Sequence, residues 1–135
     1  MTLITDVREE IYQLFKTNWT FTPYRFENEN EKSAYAGSVS WVRLTVRNLA
    51  GAQETLGPKP HRKYVRAGMI IVQVFTPMNT GMSQAGTLAE AAKAIFEGES
   101  FSGIWCQNAR IRDTGNDGKW QQTSVEVDIV YFETK

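Results

Sequence analysis

The stretch Val125-Glu126-Val127-Asp128-Ile129-Val130-Tyr131 alternates between two kinds of residue, and only Val130 breaks the apolar–polar pattern. A period of two belongs to the pleated strand. It predicts Val125, Val127, Ile129 and Tyr131 on a core face and Glu126 and Asp128 on the opposite face. Just upstream, Thr114-Gly115-Asn116-Asp117-Gly118 collects residues that tolerate positive φ. Residues 103–113 and 119–132 are therefore expected to form a closing hairpin about that turn.

Further upstream the period changes. Leu88, Ala91, Ala92, Ile95 and Phe96 recur at helical spacing, so a helix is expected from a cap at Ser83 or Thr87 to about Glu97. Gly98 is placed to end it. Its alanines permit close approach to a sheet. Before that helix, Tyr64 to Thr76 reads as the longest strand, closed by Pro77. Its segment Met69-Ile70-Ile71-Val72 is apolar on both faces, as in a central strand. Val39 to Arg47 is another strand, with Val42, Leu44 and Val46 on one side and Trp41, Arg43, Thr45 and Arg47 on the other. The interval 48–63 holds Gly51, Gly57, Pro58 and Pro60 and reads as a long loop, mobile in the isolated subunit. A short edge strand is expected within 18–38, and an amphipathic helix over 3–17 with Ile4, Val7, Ile11, Leu14 and Phe15 as its apolar stripe.

These elements predict one domain, residues 1–135, of α+β class. Its sheet is mostly antiparallel and flanked by two helices on one face, with a long loop between the first two long strands. The 135 residues and 41% hydrophobic content suffice for a packed core. Met1 to Asp6 has neither a basic segment nor an apolar run, so no signal peptide is expected, nor is any stretch long enough for a membrane-spanning helix. A single cysteine, Cys106, rules out an intrachain disulfide and fits a reducing compartment.

Net charge is zero but unevenly spread. Residues 34–66 carry Arg43, Arg47, Lys59, Arg62, Lys63 and Arg66 against Glu54 alone, while both flanks are acidic. Such asymmetry fits an anionic partner or a head-to-tail contact between copies.

Catalysis needs convergent polar groups, and the sequence offers few. His61, the one histidine, sits between Pro60 and Arg62, a context typical of the surface. Cys106 lies in a predicted strand between Trp105 and Gln107, where a small packed side chain is expected. Metal-ligand spacings and phosphate-binding glycine patterns do not occur. No catalytic, metal or cofactor residue is assigned, and no enzyme activity is expected. Above background stand the basic run from Arg43 to Arg66 and the aromatics Trp41, Trp105 and Trp120 on faces that should point outward. Each tryptophan either packs within the fold or serves an interface.

Several runs together resemble a known family. Val42-Arg43-Leu44-Thr45-Val46-Arg47 is followed by Gln53-Glu54-Thr55-Leu56-Gly57, then by Arg62-Lys63-Tyr64-Val65-Arg66-Ala67-Gly68 and Val72-Gln73-Val74-Phe75-Thr76-Pro77, and then by the alanine-rich helix. Over residues 3–132 this pattern is similar to the tail-terminator-like proteins of tailed bacteriophages and prophages. The resemblance implies a ring, usually a hexamer, that caps the head-proximal end of the tail tube. Its partners would be its own copies, the tail-tube protein, the head-connector protein and DNA transiting the lumen, with no membrane and no small-molecule substrate. It places the chain in the virion tail, assembled in the cytoplasm of the bacterial host. Related folds serve other head–tail joining and tail-tube proteins. A small nucleic-acid-binding module using the basic 43–66 segment is the alternative of another class. The expected interface residues are Trp41, Arg43, Arg47, Arg62, Lys63, Arg66, Trp120, Glu126 and Asp128, with Trp41 or Trp120 as the apolar anchor.

Overall fold

A computed structural model describes residues 4–20, 22, 24–26, 40–53, 63–77, 83–101, 103–116 and 120–134. Along the chain these form α1 (Ile4–Asn18), β1 (Tyr24–Phe26), β2 (Trp41–Gln53), β3 (Lys63–Pro77), α2 (Ser83–Phe96), β4 (Ser100–Phe101), β5 (Ile104–Asn116) and β6 (Trp120–Thr134). The six strands make one sheet in the order β1-β2-β3-β6-β5-β4. All neighbours are antiparallel except β1, which runs parallel to β2. The chain is thus an α+β protein with a mostly antiparallel sheet and two helices.

The alternation that predicts β6 is realised. Val125, Val127, Ile129 and Tyr131 are buried and pair across β3 with Val72, Ile70, Gly68 and Arg66. Val42, Leu44 and Val46 of β2 continue this apolar floor, as do Ile104 and Cys106 of β5. Both helices lie on it. From α1 come Val7, Ile11 and Phe15, and from α2 come Leu88, Ala89, Ala92 and Phe96. The helices meet each other where Phe15 stacks on Phe96 with ring centroids 6.3 Å apart. Burial of such side chains stabilises by roughly 1.5–3 kcal/mol each, so this layer carries most of the fold's stability. The α2 stripe is shifted slightly from the sequence reading: Ala85 and Ala89 are buried, while Ala91 and Ile95 pack only partly against the core. Gly98 ends the helix at φ 72°, a left-handed conformation that favours glycine.

The first long loop is shorter than the sequence predicts. β2 runs on from Arg47 to Gln53 and pairs with β3 as far as Gln53↔Tyr64. Residues 48–53 and 63 are therefore strand, which corrects their reading as loop; residues 54–62 lie outside the described residues. The alternation fails there because an irregularity between Asn48 and Ala50 inserts Leu49 as an extra residue. That bulge brings the Arg47 carbonyl to within 2.6 Å of where a Cβ on Gly68 would stand, so position 68 requires a residue without a side chain.

Candidate interface face of the sheet

Both described helices cover one side of the sheet. Across β2, β3, β6 and β5, the other side carries three different zones.

At one end is an aromatic cluster. Trp41 pairs with Phe75 and stacks on it at 4.2 Å, and Trp120 meets Trp41 edge-on at 6.3 Å. The Arg43 guanidinium lies 5.4 Å from the Trp41 ring and 5.6 Å from the Phe75 ring, a cation–π arrangement that fixes its position. Trp41 is 3% exposed and Trp120 7%. In the single chain, therefore, neither ring of the pair expected to anchor an interface lies open to solvent. Trp41 is covered by Phe75 across the β2–β3 pair, and Trp120, opposite Pro77 on β3, packs its ring against Trp41 two strands away.

The central zone is ionic. Gln107 and Arg110 stand opposite Asp128 and Glu126 across the β5–β6 ladder. Arg110 Nε donates to Glu126 Oε1 at 3.2 Å, and Arg110 Nη1 lies 3.3 Å from Asp128 Oδ2. Arg112 Nη2 reaches the same Glu126 oxygen at 3.5 Å, and Asn108 Nδ2 donates to Asp128 Oδ2 at 3.1 Å. Glu126 and Asp128, expected to face a neighbouring subunit, are therefore engaged by arginines of their own chain. Sequence reasoning missed Arg110 and Arg112. The available signal was their two-residue spacing on the strand opposite Glu126 and Asp128. It is blurred by a second irregularity between Gln107 and Arg110, where Asn108 adopts φ 55°.

At the far end the face is apolar and exposed. Trp105 is opposite Val130, and Val130 is opposite Ala67; beside them Phe132 is opposite Val65. Trp105 is 58% exposed and Phe132 40%. A tryptophan more than half exposed is unusual, because it leaves a large apolar surface in water.

The predicted basic group does not stay together. Arg43 and Arg47 lie on this open face. Arg66 has the opposite parity on β3, pairing with Gly51 and Tyr131, and lies 5.0 Å from the Tyr64 ring. Lys63 opens β3 opposite Thr134, and Arg62 and His61 lie outside the described residues. Cys106 is buried on the helix side. Burial first, and the nearby Glu99 carboxylate second, push its thiol up from 9.0 to about 12, the direction of a packed thiol rather than a nucleophile.

No protein-family model and no curated protein sequence matches the chain. A solved structure bearing only a serial label aligns over 95% of this chain and 95% of its own, with a TM-score of 0.54 at 14% identity. At that identity the likeness concerns the fold alone.

Proposed function

We propose that this chain is a virion assembly protein of a tailed phage or prophage: a tail terminator whose ring caps the head-proximal end of the tail tube and joins it to the head connector. The sequence resemblance over residues 3–132 supplies the family. The observation that carries the reading on the structural side is the open sheet face, where Trp105 and Phe132 stand exposed at one end and Arg47, Arg110 and Arg112 lie further along the same face. Exposed apolar side chains with arginines further along the face suit contact with another protein. The described charged groups that converge, Arg110, Arg112, Glu126 and Asp128, satisfy one another, which favours an architectural role over catalysis. Neighbouring rungs of the same assembly, a head–tail joining protein or a tail-tube protein, use the same kind of surface.

A nucleic-acid-binding reading draws on the guanidiniums of Arg43, Arg47, Arg110 and Arg112, which the fold gathers on one face although the sequence divides them between 43–47 and 110–112. Glu126 and Asp128 in their midst oppose a polyanion.

Disruption of the gene in the phage or prophage that encodes it tests the terminator reading. Electron micrographs of the lysate should show overlong tails, or tails not joined to heads. Normal-length tails joined to heads would overturn it. A gel-shift assay with duplex DNA tests the alternative, for which a shift resistant to moderate salt is required.

A further inference from the structure

The two sides of the molecule differ in charge. On the open sheet face four guanidiniums, Arg43, Arg47, Arg110 and Arg112, stand against two carboxylates, Glu126 and Asp128. On the helix side the signs reverse. Glu9, Glu10, Glu90, Glu97 and Glu99 are all exposed. Their counter-charges there are Lys16, Lys93, Arg66 and Arg8, and Arg8 is directed inward, donating to the Val46 carbonyl at 3.4 Å.

Shape follows the same division. The open face projects the bulky side chains Trp105 and Phe132. The outer surface of α2 shows Ser83, Gly86, Thr87 and Ala94 around Glu90, all exposed and all small except the glutamate. A bulky aromatic can approach such a helix surface closely, with the nearby carboxylate available to an arginine.

We propose that the open sheet face of one copy docks on the helix layer of a second copy, back to front. Trp105 and Phe132 anchor the contact against α2, and Arg47 and Arg112 meet the carboxylates of α1 and α2. The inference rests on the assembly reading above and names the two surfaces that carry it. Because these surfaces are different and lie on opposite sides, no pair of copies satisfies both, and association runs head-to-tail, closing as a ring where the rotation between copies permits it. The competing two-fold arrangement, sheet face against sheet face, would set two net-positive faces, each with four guanidiniums and two carboxylates, against one another. Like charges so placed oppose association.

Sedimentation velocity of the full chain over a concentration series tests this, with two variants. Trp105→Asp with Phe132→Asp removes the sheet surface; Glu9→Lys with Glu90→Lys removes the helix surface. All four positions are exposed, and circular dichroism checks that both variants fold. The wild type should self-associate, more weakly as salt rises. Each variant alone should remain monomeric, with association weakened about tenfold or more. An equimolar mixture should give a dimer and nothing larger, since each variant supplies the surface the other lacks. A wild type monomeric at every concentration overturns the proposal. So does a helix-surface variant that assembles like the wild type, the result expected for sheet-to-sheet pairing. If the mixture dimerises while gene disruption leaves tails normal, the docking geometry stands and the tail-terminator reading falls. If disruption spoils tails but the mixture stays monomeric, the reverse holds.

Discussion

The two faces of the sheet use the same strands to opposite ends. On the helix side, alternate residues of β2, β3 and β6 are fully buried beneath two helices, and almost all are aliphatic. On the open side, the intervening residues change character along the strand: buried aromatics at one end, an ion network in the middle, exposed apolar groups at the other. A sheet face sealed by helices needs only apolar side chains of the right volume. A face without helices must either cover its apolar groups with one another, as Trp41, Phe75 and Trp120 do, or leave them to solvent or a partner, as Trp105 and Phe132 are left. Stability and recognition are thus separated by strand parity, and substitutions on the two faces should separate them too.

The largest stability effect is expected on the helix side. Phe96 is fully buried and stacks on Phe15, tying α2 to α1 above the sheet. Phe96→Ala should cost roughly 3–5 kcal/mol, the range for truncating a buried aromatic, read from denaturant unfolding. A loss under about 1 kcal/mol, the size of an ordinary surface substitution, would mean that the helix layer is not what holds the sheet.

The aromatic end of the open face should come next. Trp120→Ala removes one ring from the three-ring cluster. Its burial and ring contact together are worth about 2–4 kcal/mol. The expected loss is smaller than for Phe96 because the cluster holds only three buried residues. An equal or larger loss would place a second, independent core on the open face.

Cys106 sharpens the comparison through pH. Its thiol titrates at about 12 in the fold, against an ordinary value of 9.0. The folded state therefore holds its proton where the unfolded state has lost it. The stabilisation is fully present below pH 9 and is lost progressively as pH rises toward 12. At pH 10 the loss should be about 1 kcal/mol relative to Cys106→Ala, which lacks the titration. At pH 8, alkylation of the native thiol should proceed only through unfolding. Rapid labelling of the folded chain would show that Cys106 is not sealed beneath the helices.

How much of this was legible in the sequence depended on how regular the strand was. β6 alternates almost without fault, so its two faces and its hairpin partner follow directly. β2 beyond Arg47 reads Asn48-Leu49-Ala50-Gly51-Ala52, residues of mostly weak strand preference interrupted by a bulge. That segment reads as loop although β3 pairs with it residue by residue. β1 and β4, three and two residues long, are too short to set a period, and the parallel direction of β1 has no local signature. Trp41, Trp105 and Trp120 share one parity, so alternation places all three on the same face. Which of them is covered depends on the residue across the ladder: Phe75 for Trp41, but Val130 for Trp105. Register across strands decides this, and the bulges at Leu49 and Asn108 hide the register from any reading of one strand at a time.

The smallest expected effect is the most telling. Trp105→Ala removes the largest exposed apolar side chain on the open face, yet it should change the stability of the isolated chain by no more than about 0.5 kcal/mol, as at surface positions generally. The indole is more than half in water before the substitution, so little burial is lost on truncation. Its strand position pairs with Ser100 on one side and Val130 on the other, and those backbone contacts survive. A tryptophan that contributes so little to its own fold, at a site where a polar residue would serve the strand equally well, has its energetic role outside the single chain. Paired measurements on Trp105→Ala and Trp120→Ala make this visible. Trp120→Ala should lower the unfolding midpoint and leave the self-association of the remaining folded protein near wild type. Trp105→Ala should leave the midpoint unchanged and weaken association. If Trp105→Ala destabilises the monomer by as much as Trp120→Ala, the two ends of the open face are parts of one core, and their division into a structural and a recognition zone does not hold.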